Sequence, residues 1–202
     1  MSGLISRPLQ EFKVTYSNSA YMYLADGSEF CLDNLVDNEF KIDPLIEAIS
    51  GIQRYGGHVP RSIMKDGWSV LEHSLLCYDI AGSDSPEVRL ACLVHDLGEA
   101  ISGDITTPTK RALSIGSELN RWQHMCQDWV YTSMGIDIVP VINRVEEVDA
   151  LAARIEIAHF FNPKNGPIVP PWELYCSKYR IPRENTIARF KSILKTLWRR
   201  GA

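Results

Sequence analysis

The chain has 202 residues, enough for one domain with its own core. A hydrophobic fraction of 45% and a formal net charge of −4 are ordinary for a globular chain, and no basic field advertises a nucleic-acid polymer as partner. No apolar run nears the ~20 residues that span a bilayer, the opening MSGLISRPLQEF lacks the apolar centre of a signal peptide, and five scattered cysteines without a CxxC read as reduced thiols, so the expectation is a cytoplasmic protein.

Residues 12–33 have β character. KVTY, YMYLA and SEFCLD, with an Asp26-Gly27 turn signal, predict a hairpin or three-strand flap. So short a sheet needs support, and residues 1–42 are therefore expected to pack on a helical domain over 43–202. From Asp43 the period turns helical. DPLIEAISGIQRY has Asp43 as N-cap, Pro44 in the first turn, apolar residues at helical spacing and Gly56-Gly57 as a stop. WSVLEHSLLCYDIA forms a second helix ending at Gly82, and Pro86 opens a third, PEVRLACLVHDLGEA. A long polar helix follows from Lys110 to Met134. Pro140 begins another, VINRVEEVDALAARIEIAHFF, and FNPKNGPIVPPW reads as a loop. The last helix, Arg183 to Arg199, carries an apolar stripe that suits either core packing or a homo-oligomer face. The fold class is mostly α, a bundle of five to seven helices with a small N-terminal β flap.

Leu90 to Arg111, LACLVHDLGEAISGDITTPTKR, is the stretch with chemistry in it. It places His95, Asp96, Glu99 and Asp104 beside an apolar helix, where unpaired charges are costly. A divalent cation is the simplest compensation. Adjacent helix positions point about 100° apart, so other elements must complete the shell. His73 on the preceding helix and Asp149, set among Val148, Ala150 and Leu151, are suitable further ligands. His73 alone would read as a core histidine. Glu99 lies one turn beyond His95-Asp96 and can face the same space, with proton transfer as its role. Asp104 either orients water or Glu99, or simply stabilises the bend after Gly103. Arg54, ahead of the Gly-Gly bend, offers bidentate phosphate contacts, and Lys110 follows Pro108 at an expected helix start that favours anions. Tyr55 suits stacking on a base or sugar, and Pro108 with Ile105 suits the wall against a base. His124, Glu146 and Glu147 read as solvated, Trp68 as core packing, and Glu156 shares the face of Asp149 without an assigned role.

The order H…HD…D, written as His73 in VLEHSLL, His95-Asp96 in LVHDLGEA and Asp149 in EEVDALAAR, resembles the HD-domain metal-dependent phosphohydrolases. The GEAISGDI continuation is similar to the nucleotide-cleaving branch, with Glu99 and Asp104 at that branch's catalytic places, and RYGGH is similar to small phage and bacterial members. The resemblance covers roughly residues 43–160. It implies an HD-domain helical bundle with a zinc, cobalt, manganese or magnesium ion on His73, His95, Asp96 and Asp149, with room for a second, substrate-bridging ion. It also implies a deoxynucleotide substrate. Two relatives fit in size: phage dATP triphosphohydrolases, the leading expectation, and bacterial 5'-deoxynucleotidases. An HD protein that binds nucleotides without turnover is the reading from another class.

Overall fold

Asp26 Oδ1 accepts from the Ser28 amide at 3.0 Å and closes the turn between strands β1 (Tyr21–Tyr23) and β2 (Glu29–Cys31), which pair antiparallel with Met22 opposite Phe30. This is the hairpin expected from Asp26-Gly27, seen in a computed structural model that describes residues 20–161 and 181–198. The expected KVTY strand, and the FNPKNGPIVPPW loop beyond its first residue, Phe161, lie outside the described residues. Two three-residue strands cannot stand alone. Phe30 anchors them, buried with its ring edge-on to Trp129 at 5.1 Å.

The rest of the described chain is mostly helical, as expected. Helix α1 (Ile42–Gly51) buries Leu45, Ile46 and Ile49. Its N-cap is Lys41 rather than Asp43, whose carboxylate instead meets Lys191 at 2.8 Å. The helix also stops before the expected Tyr55. The Arg54 amide donates to Trp68 O and the Val70 amide to Ile52 O, so residues 52–54 run extended beside 68–70. Arg54–Gly57 is then a tight turn in which Tyr55 takes a left-handed backbone, φ 57 and ψ 29.

Helix α2 (Val70–Ala81) starts on a capping box: Ser69 accepts from the Glu72 amide and Glu72 from the Ser69 amide. Helix α3 (Pro86–Val94) opens on Ser85 and Pro86. It does not continue through His95 as the sequence suggested. Residues 95–98 tighten into a turn with i→i+3 hydrogen bonds, Leu97 to Val94 and Glu99 to Asp96, before the short α4 (Glu99–Ser102). Gly98 allows this, because a Cβ there would sit 2.7 Å from the Gln127 amide nitrogen.

The expected helix from Lys110 to Met134 is also two: α5 (Thr107–Ala112), capped by Thr106, and α6 (Gly116–Met134). The corner between them packs so tightly that a Cβ on Gly116 would overlap Lys110 O. Lys110 therefore ends a helix rather than opening one. Helix α7 (Ile142–Phe160) starts two residues after the expected Pro140. Helix α8 (Arg183–Leu197) lies against α1, α2 and α3 and buries Phe190 and Leu194, so its apolar stripe serves the core. The core runs between α1, α2, α3 and α7 through Trp68, Leu71, Leu75, Val94 and Phe160. No described helix is long and apolar enough to cross a membrane.

Candidate metal centre

Three helices deliver the four expected ligands to one point. His73 comes from the middle of α2 and is wholly buried; Asp149 comes from the middle of α7; His95 and Asp96 come from the turn after α3. His73 Nε2 lies 3.0 Å from Asp149 Oδ1 and 3.6 Å from Asp96 Oδ2. His95 Nε2 lies 3.3 Å from Asp96 Oδ2 and 3.8 Å from Asp149 Oδ1. The i→i+3 turn allows neighbouring residues 95 and 96 to reach one point, which a regular helix would turn apart.

The proton positions suit a cation. His73 Nδ1 is 2.6 Å from the buried Glu156 Oε1, and His95 Nδ1 donates to Cys92 O at 2.9 Å. Each neutral ring with its proton on Nδ1 turns the Nε2 lone pair toward the carboxylates. That is the usual arrangement of a metal-ligating histidine held from behind. His95 Nε2 is buried and makes no hydrogen bond among the described residues. Separations of 3.0–3.8 Å between donors match ligands that each stand about 2.0–2.2 Å from a shared ion. Burial opposes charge on His95, yet Asp96 and Asp149 push its pKa up to about 10. For His73, burial and Arg54 oppose the charge, and Glu156 and Asp149 are among the groups that drive the pKa well above the ordinary value. So much negative charge around two imidazoles demands a proton on each or a cation between them. Burial disfavours the Asp149 carboxylate, but His73 and His95 hold its pKa far below the usual range.

Cys77 also belongs to the cluster: its Sγ is 3.5 Å from His73 Nε2, and His73, Cys77, His95 and Asp149 form a group able to hold a metal ion. It stands one helical turn after His73, where the sequence suggested only a packing thiol. His95, Asp96 and Asp149 line an adjoining cavity of about 1120 Å³, which Cys77 and His73 do not reach.

That cavity also gathers Arg54, Tyr55, Glu99, Asp104, Pro108 and Lys110, all the remaining residues the sequence nominated. Glu99 Oε2 is buried and without a hydrogen bond among the described residues. Burial first, then Asp96 and Asp104, push the Glu99 pKa up to about 9, so the carboxyl carries a proton at neutral pH. Burial likewise raises Asp104. Arg54 is not a free phosphate claw. Its Nη1 is 3.3 Å from Asp96 Oδ2 and its Nε 3.3 Å from Glu156 Oε2. Tyr55 gives its hydroxyl to Glu156 Oε2 at 2.6 Å, while its ring packs edge-on to Phe161 at 5.2 Å. Lys110 Nζ donates to Gln123 Oε1 at 2.7 Å. Tyr131, Ile138, Ile142, Val145 and Ile157 give the cavity apolar lining. His124 and Glu146, expected to be solvated, are exposed on its lining.

No family model matches the chain. An uncharacterized protein of Rhodobacter capsulatus is 26% identical over 144 residues, 68% of this chain and 71% of that protein. The uncharacterized protein YfdR of Escherichia coli K12 is 30% identical over 87 residues, 43% of this chain and 44% of its own length.

Sequence reasoning missed the supports of the site. Gln127 accepts from the Gly98 amide at 2.8 Å and donates to Val94 O at 3.0 Å, which clasps both ends of the His95–Gly98 turn. Gln123 donates to Gly103 O at 2.9 Å and holds the bend before Asp104. Both read as ordinary polar positions of a solvated helix; their four-residue spacing, which puts them on one face, is the only signal. Trp68 packs in the core as expected, but its Nε1 also donates to Glu156 Oε1 at 2.8 Å.

Proposed function

We propose that the protein is a metal-dependent phosphohydrolase acting on deoxynucleotides. One observation carries the reading: two imidazole Nε2 atoms and two carboxylates converge within 3.0–3.8 Å at the edge of a cavity that also holds Glu99, whose buried Oε2 has no hydrogen bond among the described residues. His73, His95, Asp96 and Asp149 would hold the ion, with zinc, cobalt, manganese or magnesium compatible with nitrogen and oxygen donors. A bound divalent ion supplies Lewis-acid polarisation of a phosphoryl oxygen. Glu99 holds a proton at Oε2 and hands it to the leaving 5'-oxygen as water's oxygen bonds to phosphorus; a proton from that water then restores it. Asp104 keeps the Glu99 pKa high and faces the same space. The apolar lining excludes water and accepts a base, with Tyr55 and Pro108 at its edges.

The dATP triphosphohydrolase and 5'-deoxynucleotidase readings break the same bond, between O5' and the first phosphorus. They differ in what hangs from that phosphorus. Even with Glu99 protonated, Asp96, Asp104, Asp128, Glu146 and Asp149 line the cavity against Arg54 and Lys110, and Arg54 is already paired. That balance favours the monophosphate, since a triphosphate must bring further cations to offset its charge. Replacing Asp96 by Ala tests the common reading. Turnover of deoxynucleotides should fall below detection while circular dichroism stays helical; a folded variant with wild-type turnover sinks the proposal. A protein that binds nucleotides without any product, across these metals, is the silent alternative.

A further inference from the structure

Glu156 is wholly buried on α7, two turns after Asp149, and its two oxygens meet donors from four side chains. Oε1 faces His73 Nδ1 at 2.6 Å and Trp68 Nε1 at 2.8 Å. Oε2 faces the Tyr55 hydroxyl at 2.6 Å and Arg54 Nε at 3.3 Å. A carboxylate only accepts, and Trp68 Nε1 and Arg54 Nε only donate. The set is therefore matched to an ionised Glu156 and to a proton on His73 Nδ1. A neutral imidazole has one N–H; with it on Nδ1, Nε2 presents its lone pair to Asp149 and Asp96. The other oxygen holds Tyr55, whose left-handed backbone at φ 57 is strained for a non-glycine residue and needs such support. Tyr55 and Arg54 are cavity wall.

We infer that Glu156 is a positioning residue that locks His73 in the Nδ1–H form a cation ligand requires and ties that imidazole to the Arg54–Tyr55 wall. This rests on reading the His73, His95, Asp96 and Asp149 cluster as a metal site. A merely structural buried acid would hold α7 to the 54–68 segment and leave metal binding alone. Glu156→Gln separates the two. The amide has the same shape but places an NH2 against donors, and its new donor favours the opposite tautomer of His73.

The test is cobalt(II) titration of the full-length protein, followed by visible absorption, for wild type, Glu156→Gln and Phe190→Leu. The last variant perturbs the core through α8 and controls for lost stability. Glu156→Gln should bind cobalt about 10–100-fold more weakly, the usual loss when the support behind a ligand is removed, with an altered spectrum. Phe190→Leu should keep the wild-type spectrum and affinity. Equal affinity and an unchanged spectrum in Glu156→Gln overturn the inference alone. No cobalt binding by wild type overturns the metal reading and this inference with it. Should Glu156→Gln not fold, nitrogen-15 NMR of the zinc-loaded wild type decides: a protonated His73 Nδ1 with a bare Nε2 supports the inference, and the reverse overturns it.

Discussion

Loading a metal onto this site should expel protons, and the structure gives the number. In the metal-free protein His95 titrates at about 10 and His73 well above its ordinary value, because Asp96, Asp149 and Glu156 surround them despite burial. Both imidazoles are charged at neutral pH. Each must lose its Nε2 proton to present a lone pair, whereas the Asp149 carboxylate is already ionised. One ion therefore releases two protons near pH 7, one from each ring. The sign follows: raising the pH removes the competing protons, so affinity climbs by about a hundredfold per pH unit, tenfold for each proton, until His95 begins to titrate. Isothermal titration calorimetry with manganese or zinc, repeated in buffers of different ionisation enthalpy, counts the protons directly. A count near zero, or an affinity flat between about pH 6 and about pH 8, would refute the reasoning. It would mean that the ion sits elsewhere or that the imidazoles are already neutral.

The metal-stripped protein should lose stability as pH rises. The raised His95 pKa contributes stability that is complete below its unfolded value near 6.5 and is gone above about 10; the raised Glu99 pKa acts in the same direction, its contribution complete below the unfolded value near 4.5 and gone above about 9, and thermal melts across the combined window should fall far less with metal bound. Glu99→Gln should cut kcat by about a hundredfold or more while leaving cobalt affinity within a few-fold, since the role assigned to Glu99 is proton transfer; wild-type turnover would remove it from the chemistry. Cys77→Ser should keep metal binding and turnover, because Asp96 supplies the fourth donor and Cys77, although its Sγ is 3.5 Å from His73 Nε2, is buried off the cavity; loss of both, with a thiolate charge-transfer band in the cobalt form of the wild type, would put sulfur in the coordination sphere in place of Asp96. Gly98→Ala should cost about 1–3 kcal/mol in urea unfolding, because the added Cβ meets the α6 backbone at 2.7 Å; an unchanged midpoint would show that the approach relaxes freely.

The candidate ligands were legible because His73, His95, Asp96 and Asp149 sit on or beside strongly apolar helices, where an uncompensated charge needs a reason. Glu156 was not, although it is the most heavily bonded acid of the site. Its donors Arg54, Tyr55, Trp68 and His73 lie 83 to 102 residues away along the chain, and only the folded chain brings them together. Arg54 was read as a phosphate ligand for the same reason: nothing local shows that Asp96 and Glu156 engage it first. Helix existence followed from period and breakers, and Gly82 and Pro86 stand at the helix end and start where the sequence put them. The breaks at 95–98 and 113–115 escaped, because they answer to backbone approach at Gly98 and Gly116 rather than to local propensity.

The most direct test is ion-exchange chromatography of products from the four deoxynucleoside triphosphates and four monophosphates, each incubated with manganese, cobalt or zinc. The account predicts a free deoxynucleoside in every productive case, with orthophosphate from a monophosphate or intact triphosphate from dATP, and none with Asp96→Ala. Release of pyrophosphate or of a diphosphate would place the cut at a different bond and contradict the assigned chemistry. No product from any of them would contradict the phosphohydrolase reading itself.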